Sequence, residues 1–338
     1  MSRPAILLRA DGSHALGLGH LARLSALLEE IDPSVAEPVA LFGADAAVAA
    51  WARGQRVPAV IRPWTTDEVV AAATERRARA VVVDGPALAA ALLPPLAAAG
   101  IRTVLIDDAG DAVPPVDAVV NHNFHAPALD ARYPAARLRL LGRSYLLLRR
   151  AIRRFPRGAC RPRDGARLRV LVSFGGSDPV GATARIVGLM PADRRLDLVV
   201  IIGPGYRDQP ALQLAGKAAV AAGHTLEVRD NPGDPGELFV TADAAICSAG
   251  GTLGELAYLG CPALGFAIVP DQLAPATSQA RSGLIAGGAS LADADDDAVR
   301  AELRAFLAGD RRRREQRERA LATADGLGAR RVVAESLG

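Results

Sequence analysis

The sequence lacks several signatures that would point to common classes of protein. It has three cysteines, Cys160, Cys247 and Cys261, but no C-x-x-C spacing, which argues against a zinc site. No apolar run reaches the roughly 18–20 residues that a membrane span requires, so we expect no stable membrane insertion. The G-x-S-x-G turn of serine hydrolases and the G-x-x-x-x-G-K-[ST] phosphate loop are both missing. Serine hydrolases with that turn and P-loop proteins are therefore not expected.

Charge gives no reason to expect a nucleic-acid partner. The formal net charge is +3 over 338 residues, and Lys217 is the only lysine. The basic stretches at 149–169 and 311–319 are short, and a solvated surface or linker explains them better than a nucleic-acid patch. An odd number of cysteines suits reduced thiols, and no signal-peptide pattern precedes residues 5–9. We therefore expect a cytoplasmic protein.

Short apolar stretches alternate with helical ones along the chain, and this alternation restarts near the middle. The predicted strands are 5–10, 39–42, 59–61, 80–83, 103–106 and 118–120, then 168–174, 196–202, 225–228, 243–247 and 263–266. The predicted helices are 20–31, 67–77, 88–99, 181–189, 211–222, 253–259, 296–307 and 312–336. Buried strands alternating with helices indicate parallel sheets covered on both faces.

The predicted fold is therefore α/β, with two Rossmann-like doubly wound domains facing a cleft. We expect an N-terminal domain at 1–150, an Arg-, Pro- and Gly-rich linker at 151–167 and a second domain at 168–310. The C-terminal helix at 311–338 is expected to pack back on the first domain. Ligands of such sheets bind beyond the carboxyl ends of the strands, so the cleft is the expected site.

The first candidate motif is Gly17-Leu18-Gly19-His20, followed by Arg23, directly after the first strand. Glycines allow a ligand to approach the backbone, and a helix N-terminus favours an anion. A neutral imidazole at His20 can accept a proton from water or a hydroxyl. The alternative is that His20 only caps the helix. Asp11 is expected to face the same cleft.

Two further glycine-rich turns follow strands in the second half. In Ser173–Pro179, the amides of Gly175 and Gly176 and the hydroxyl of Ser177 can bind phosphate, although a plain turn would have the same sequence. The stretch Ser248–Glu255 is the more specific signal. The amides of Gly250, Gly251 and Thr252 would face a diphosphate, and Glu255 would accept both ribose hydroxyls. The alternative is that Glu255 only supports the helix N-terminus.

Paired acids, Asp107 and Asp108, end a predicted strand of the first half. Such acids can orient a catalytic histidine or bind sugar hydroxyls, although turn acids have the same appearance in sequence. The other four histidines, at positions 14, 122, 125 and 224, have no partners at ligand-like spacing, and we expect ordinary loop or surface residues there.

Taken in order, these stretches resemble one family: the UDP-2,4-diacetamido-2,4,6-trideoxy-altropyranose hydrolases of pseudaminic acid biosynthesis and the related spore-coat-polysaccharide proteins. The similar segments are Leu8–Asp11, Gly17–His20, Val83-Asp84, Ile106–Asp108, Asn121–Asn123, Leu141–Tyr145, Leu148-Arg149, Phe174–Pro179, Ala249–Glu255, Gly260–Pro262, Gln272 and Asp325–Arg330. Together they extend over nearly the whole chain in the family's order.

The resemblance implies a glycosyltransferase-B-like fold and a hydrolysis, independent of metal and cofactor, that removes UDP from the anomeric carbon of a sugar. On this pattern His20, with Asp11, is catalytic. Gly17, Gly19, Arg23, Asp84 and Asp108 contact the sugar, and the two glycine-rich turns, Glu255 and Gln272 hold the nucleotide. The partners implied are a UDP-sugar and water, or a glycan acceptor.

The sequence departs from the family pattern at two places. The family has a tyrosine shortly after the acid at Asp84, where this chain reads Gly85-Pro86. The family also tends to place Asn before the glutamine at Gln272, where this chain has Asp271. These departures concern the identity of the sugar or acceptor and leave the expected fold unchanged.

Three functions remain open at this stage. The first is a nucleotide-sugar hydrolase of nonulosonic acid or surface-glycan synthesis. The second is a glycosyltransferase in which a hydroxyl replaces water, since one fold serves both reactions. The third is a binding protein that has lost activity, against which His20 argues.

Overall fold

The computed structural model describes residues 3–111, 113–161 and 167–338, which form two compact units. One unit comprises Met1–Arg150 with Gly326–Gly338, and the other comprises Ala151–Asp325. We call them unit 1 and unit 2 and describe each by itself.

Unit 1 is built on a seven-stranded sheet in which every pair of neighbouring strands is parallel. The strands are β1 (Ala5–Ala10), β2 (Glu37–Phe42), β3 (Ala59–Ile61), β4 (Ala80–Asp84), β5 (Arg102–Ile106), β6 (Val116–Asn121) and β7 (Ala136–Leu141), and the helices between them are α1 (Gly19–Leu28), α2 (Ala46–Gln55), α3 (Thr66–Glu75) and α4 (Pro86–Ala98). Their order is β3-β2-β1-β4-β5-β6-β7. The order reverses between β1 and β4, which is where doubly wound sheets bind ligands.

Both faces of this sheet are covered. Every residue of β1 is buried, and its side chains alternate between two hydrophobic clusters. Ile6 and Leu8 join the cluster that contains α1, whereas Ala5 and Leu7 join the one that contains α4. A strand with two buried faces has a continuous apolar sequence, which is why these strands are recognisable from their residues alone.

Unit 2 repeats the plan with a six-stranded parallel sheet in the order β10-β9-β8-β11-β12-β13. After α5 (Arg150–Arg153), its strands are β8 (Leu168–Ser173), β9 (Leu196–Ile202), β10 (Thr225–Asp230), β11 (Ala244–Ser248), β12 (Ala263–Ala267) and β13 (Ala286–Ser290). Its helices are α6 (Ala182–Gly188), α7 (Gln209–Ala221), α8 (Gly236–Val240), α9 (Gly251–Leu259), α10 (Leu273–Arg281), α11 (Asp296–Ala308) and α12 (Asp310–Thr323). The order reverses here between β8 and β11.

The final segment belongs to unit 1. The predicted helix at 312–336 is instead two helices, because α12 ends at Thr323 and Gly326 has a positive φ of 80° before α13 (Gly328–Val332). Ala329, Val332 and Leu337 enter the hydrophobic cluster that contains α1. The Tyr145 hydroxyl donates a 3.2 Å hydrogen bond to Glu335, and Arg331 donates to the carbonyl of Ser144. This segment therefore completes the core around α1.

Residues 151–161 were expected to form part of a linker, but they are packed within unit 2. The backbone N–H groups of Gly158 and Cys160 donate to the carbonyls of Tyr258 and Leu259 at the end of α9. The Tyr258 hydroxyl donates to the carbonyl of Phe155 at 3.0 Å. The part of the expected linker at 162–166 lies outside the described residues.

Candidate active site

His20 lies at the start of α1, where the chain turns out of β1. Leu18 is the N-cap residue and makes no side-chain capping bond, so His20 is the second residue of the helix. Its Nδ1 atom lies 2.7 Å from Oδ1 of Asp84, the last residue of β4, which pairs with the last residue of β1. A histidine and a carboxylate 64 positions apart therefore meet at the carboxyl edge of adjacent strands.

The Asp84 carboxylate determines which ring nitrogen of His20 carries the proton. Burial by itself would raise the pKa of Asp84, but the charges and hydrogen bonds of Arg23 and His20 lower it below its ordinary value. Nδ1 of His20 has two neighbours, Oδ1 of Asp84 at 2.7 Å and Nη2 of Arg23 at 3.0 Å. An ionised carboxylate can only accept, so the closer contact favours the tautomer in which Nδ1–H donates to Asp84 and Nε2 retains a lone pair. No hydrogen bond to Nε2 occurs among the described residues. The arrangement matches that of a general base oriented by an acid.

Arg23 joins the two acids of this edge. Its Nε and Nη2 atoms each donate to Asp84 at 2.6 Å, and Nη1 donates to both oxygens of Asp108 at 2.9 Å. Burial lowers the pKa of Arg23, but the two carboxylates raise it more, to well above its ordinary value. Arg23 also holds the pKa of Asp108 well below its usual range, against the effect of burial. All three groups are therefore charged at neutral pH.

Exposure separates these side chains into supporting and accessible ones. The side chain of Asp84 is 0% exposed and that of Arg23 is 11% exposed, whereas His20 is 24% and Asp108 is 32% exposed. Asp84 and Arg23 hold His20 and Asp108 in place, and His20 and Asp108 are the more exposed members of this group. That Asp84 and Arg23 contact the sugar stays a prediction.

A second hydrogen-bond network fixes the turn after β6. The Tyr133 hydroxyl donates to Oδ2 of Asp107 at 2.8 Å and accepts from Nδ2 of Asn121 at 2.9 Å. Asn123 donates through its backbone N–H and its Nδ2 to Oδ1 of Asn121, and Nδ2 also donates to Asp108 at 2.7 Å. The Asp107 carboxylate is therefore used in hydrogen bonds within the protein. Asn123 contacts Asp108, and the sequence singled it out only as part of the Asn121–Asn123 similarity.

Two histidines near this turn are more buried than the sequence suggested. His122 is 8% exposed, and its Nδ1 accepts from the backbone N–H of Leu147 at 3.2 Å. Burial, with the nearby charges of Arg23 and Arg143, lowers the pKa of His122 to about 4. Burial also lowers the pKa of His125, whose Nδ1 atom is buried without a hydrogen-bond partner. Both rings are therefore neutral at pH 7.

The remaining predicted residues of unit 1 lie in the loop before α1 or beside it. Gly17 has a φ of 75°, which favours glycine, and it closes a short turn by pairing with Ser13. A Cβ at Gly19 would meet nothing within 4 Å, so there is open space beside the start of α1. Asp11 accepts a 2.6 Å hydrogen bond from the buried Arg9 and makes no described contact with His20.

In unit 2, the Gly175–Ser177 turn follows β8 and packs against the turn after β9. A Cβ at Gly203 would overlap the backbone of Gly176, and the N–H of Gly205 donates to the carbonyl of Gly176 at 2.8 Å. Asp178 accepts from the first N–H groups of α6 at 2.8 and 2.7 Å. Asp178 therefore caps the start of α6, and the N–H groups of Ala182 and Thr183 are used within the protein.

The start of α9, in contrast, has no side-chain cap. Gly250 is the N-cap residue without a side-chain hydrogen bond, and a Cβ at Gly251 would meet nothing within 4 Å. The first N–H groups of a helix have no partner within the helix, so this end favours an anion. Glu255 lies one turn further and is 7% exposed.

Gln272 lies beside this helix start. Its Oε1 accepts from the N–H of Ile268 at 3.1 Å, which leaves the Nε2 donor next to Gly250, 3.5 Å from where a Cβ would lie. The Ser248 hydroxyl oxygen would lie 4.0 Å from a Cβ placed at Gly175 and 3.9 Å from one placed at Gly250. The Ser248 hydroxyl at the end of β11, the first N–H groups of α9 and Gln272 just before α10 therefore lie near Gly250 at the carboxyl edge of this sheet.

Residues 3–111, 113–161 and 167–338 contain no group of three or more His, Cys, Asp or Glu side chains arranged to hold a metal ion. Within the same residues, every helix is too short or too polar to cross a bilayer.

No protein-family model and no curated protein sequence matches the chain. Solved structures do match it over nearly their whole length. MurG from Acinetobacter baumannii is 17% identical, with 99% of each chain covered and a TM-score of 0.66. A UDP-glucosyltransferase from Polygonum tinctorium is 13% identical, covering 100% of this chain and 99% of its own, also at 0.66.

The protein has the glycosyltransferase-B fold. A third match, the S. aureus MnaA–UDP co-structure, is 10% identical, with 98% of this chain and 95% of that chain covered and a TM-score of 0.64. Two Rossmann-like parallel sheets in one chain are what the sequence predicted, so the predicted fold class is confirmed. At these identities the likeness concerns the fold alone.

Proposed function

We propose that the protein hydrolyses a UDP-activated amino or deoxy sugar at the anomeric carbon, releasing UDP and the free sugar, in nonulosonic (pseudaminic-type) acid or surface-glycan synthesis. The observation that carries this proposal is the His20–Asp84 pair, in which Nε2 is a base without a protein partner among the described residues. The ordered resemblance to the UDP-sugar hydrolases supports it. Two of the structures with the same fold, the MnaA–UDP co-structure and the UDP-glucosyltransferase, also support it.

In the proposed reaction, Nε2 of His20 takes a proton from a water molecule. The water oxygen forms a bond to the anomeric carbon while the bond from that carbon to the diphosphate oxygen breaks, and its electron pair leaves with UDP. The His20 ring becomes positive, and the Asp84 carboxylate at 2.7 Å from Nδ1 stabilises that charge. Asp108, whose side chain is 32% exposed, would accept hydrogen bonds from the sugar.

Unit 2 is proposed to bind the nucleotide. The open N-terminus of α9 would hold the diphosphate through the N–H groups near Gly251 and Thr252, with Gln272 Nε2 as a further donor. These dipoles favour the negative charge that develops on the leaving group. Glu255, one turn along α9, would accept from the ribose hydroxyls, since a carboxylate there avoids the phosphates.

A glycosyltransferase is the second candidate. Nε2 of His20 can deprotonate a hydroxyl as readily as water, and the fold neighbours include sugar transferases. Leu16, in the turn just before His20, is 61% exposed and offers an apolar contact that an acceptor would use.

The two candidates separate in one assay. Purified protein is incubated with a panel of UDP-sugars, including the 2,4-diacetamido-trideoxy sugar, with a chelator and without acceptor, and UDP release is followed. Release from one sugar, lost in His20→Ala and kept in the neighbouring control His14→Ala, is the expected result. Binding of UDP-sugars without release in any case would refute hydrolysis and favour the transferase.

A further inference from the structure

Two side chains with acceptor oxygens lie on the turns after β6 and β5 and are linked to His20 through Arg23, whose Nη1 donates to Asp108 and whose Nη2 lies 3.0 Å from Nδ1 of His20. They belong to Asn123 and Asp108, whose side chains are 2.7 Å apart through the Nδ2–Oδ1 hydrogen bond. Neither side chain is buried, because Asp108 is 32% exposed and Asn123 is half-buried. Both side chains are therefore accessible to a ligand.

The orientation of the Asn123 amide follows from the network around it. The backbone N–H of Asn123 donates to Oδ1 of Asn121, which identifies that atom as the oxygen. Nδ2 of Asn123 then has two acceptors, Oδ1 of Asn121 at 3.0 Å and Oδ1 of Asp108 at 2.7 Å. The reversed amide would place an oxygen against two oxygens. Both N–H groups are thus used within the protein, and Oδ1 of Asn123 meets no donor among the described residues.

The Asp108 carboxylate has one oxygen with spare capacity. Its Oδ1 accepts from both Arg23 and Asn123, whereas Oδ2 accepts only from Arg23 at 2.9 Å among the described residues. A carboxylate oxygen can accept two hydrogen bonds, so one acceptor position on Oδ2 remains. The nearby donors, Arg23 and the Asn123 amide, are already committed to protein acceptors.

We infer that Asn123 and Asp108 form a specificity subsite that accepts hydrogen bonds from a hydroxyl or amide N–H donor on the sugar ring. The inference rests on the proposed function, and it names the residues that select the sugar rather than those that cleave it. Because the subsite offers acceptors only, it distinguishes a sugar with a donor at one ring position from the deoxy analogue that lacks it.

The test is a cycle of protein and substrate changes. The UDP-sugar that wild type hydrolyses fastest is compared with its analogues deoxygenated or deaminated at single ring positions, in wild type, Asn123→Ala and the neighbouring control Phe124→Leu. One analogue should lose about five- to tenfold in kcat/KM with wild type and with the control, as expected for one neutral hydrogen bond. With Asn123→Ala, the difference between that analogue and its parent should shrink, because only Asp108 remains to accept the hydrogen bond.

A merely structural role for Asn123 predicts a different pattern. If Asn123→Ala lowers kcat/KM by the same factor for the parent and for every analogue, the subsite does not exist. If the protein binds UDP-sugars without turnover, hydrolysis is refuted. The dissociation constants of the parent and the analogue are then compared, and the subsite is supported only if Asn123→Ala reduces their ratio. If no UDP-sugar binds at all, the proposed function is refuted and the subsite with it.

Discussion

Replacing Asp84 by asparagine should remove most of the activity without removing a group that touches the substrate. The carboxylate has three donors, Arg23 Nε on one oxygen and Arg23 Nη2 with His20 Nδ1 on the other, all at 2.6–2.7 Å. An amide has one oxygen, so either orientation of the introduced asparagine side chain would set an NH₂ group against a donor of Arg23. One orientation also faces His20 and favours the tautomer with the proton on Nε2, which cannot act as a base.

The expected magnitudes follow from what is lost. A misoriented or wrongly protonated base lowers kcat by about 10²- to 10⁴-fold. Breaking a buried ion pair destabilises a protein by about 3 kcal/mol. Because the folded pKa of Asp84 is depressed, its stabilising effect is present above the unfolded value of 3.8 and is lost as pH falls through the folded value. The stability deficit of Asp84→Asn should therefore be full at pH 7 and shrink below about pH 4.

The assay combines UDP release with urea unfolding at pH 7 for Asp84→Asn, His20→Ala and the double variant. If Asp84 acts through His20, adding Asp84→Asn to His20→Ala leaves the residual rate unchanged. A double variant that loses the product of both single losses would show that Asp84 contributes independently, and the proposed role of the pair would be wrong.

Three further predictions concern pH, the proposed nucleotide site and the segment Gly326–Gly338. The pKa of His122 is about 4 in the folded protein and 6.5 in an exposed histidine. The neutral ring therefore stabilises the fold fully above pH 6.5, and this contribution is lost as the pH falls towards 4. The free energy of unfolding should drop by about 2–3 kcal/mol between pH 7 and pH 4.5. Gly251→Ala has open space and a helical position, so thermal stability should hold or rise while UDP affinity in calorimetry falls at least tenfold. Gly328→Ala would overlap the backbone of Leu146 and should reduce unfolding free energy by about 3 kcal/mol in urea.

Each of these has an outcome that contradicts it. A His122→Asn variant with the same pH slope as wild type would remove His122 as the cause. Unchanged UDP affinity in Gly251→Ala would place the diphosphate elsewhere. If Gly328→Ala unfolds like Gly19→Ala, where a Cβ has open space, the close approach to Leu146 is not maintained in solution.

The sequence predicted the buried strands well because both their faces are covered. Residues 5–10 and 196–202 match the interior strands β1 and β9 at both ends. The strands that were missed are at the sheet edges. In β7, Arg137 and Arg139 interrupt the apolar run, and in β13 two glycines replace the side chains that mark a strand. Edge position allows such residues, and local sequence does not reveal it.

The site was predicted in its parts but not in its pairing. His20 was expected at a strand-to-helix turn and Asp84 at the end of a strand, since the glycines before His20 and the apolar run before Asp84 are local signals. Which of the several strand-end acids would turn inward to His20 depends on the strand order, which pairs β1 with β4. Arg23, three residues after His20, could be placed on the same helix face, but its bridge to Asp108 required the neighbouring strand.

The return of the chain to unit 1 affects when that unit can finish folding during synthesis. Strands β1–β7 leave the ribosome before any of unit 2, yet Ala329, Val332 and Leu337, which complete the core around α1, are made after it. At 5–20 residues per second, the wait is on the order of ten seconds or more. Helix α1, which carries His20, therefore completes its packing only after unit 2 has been translated. Truncated nascent chains would contain His20 but lack the residues that complete the core beneath its helix.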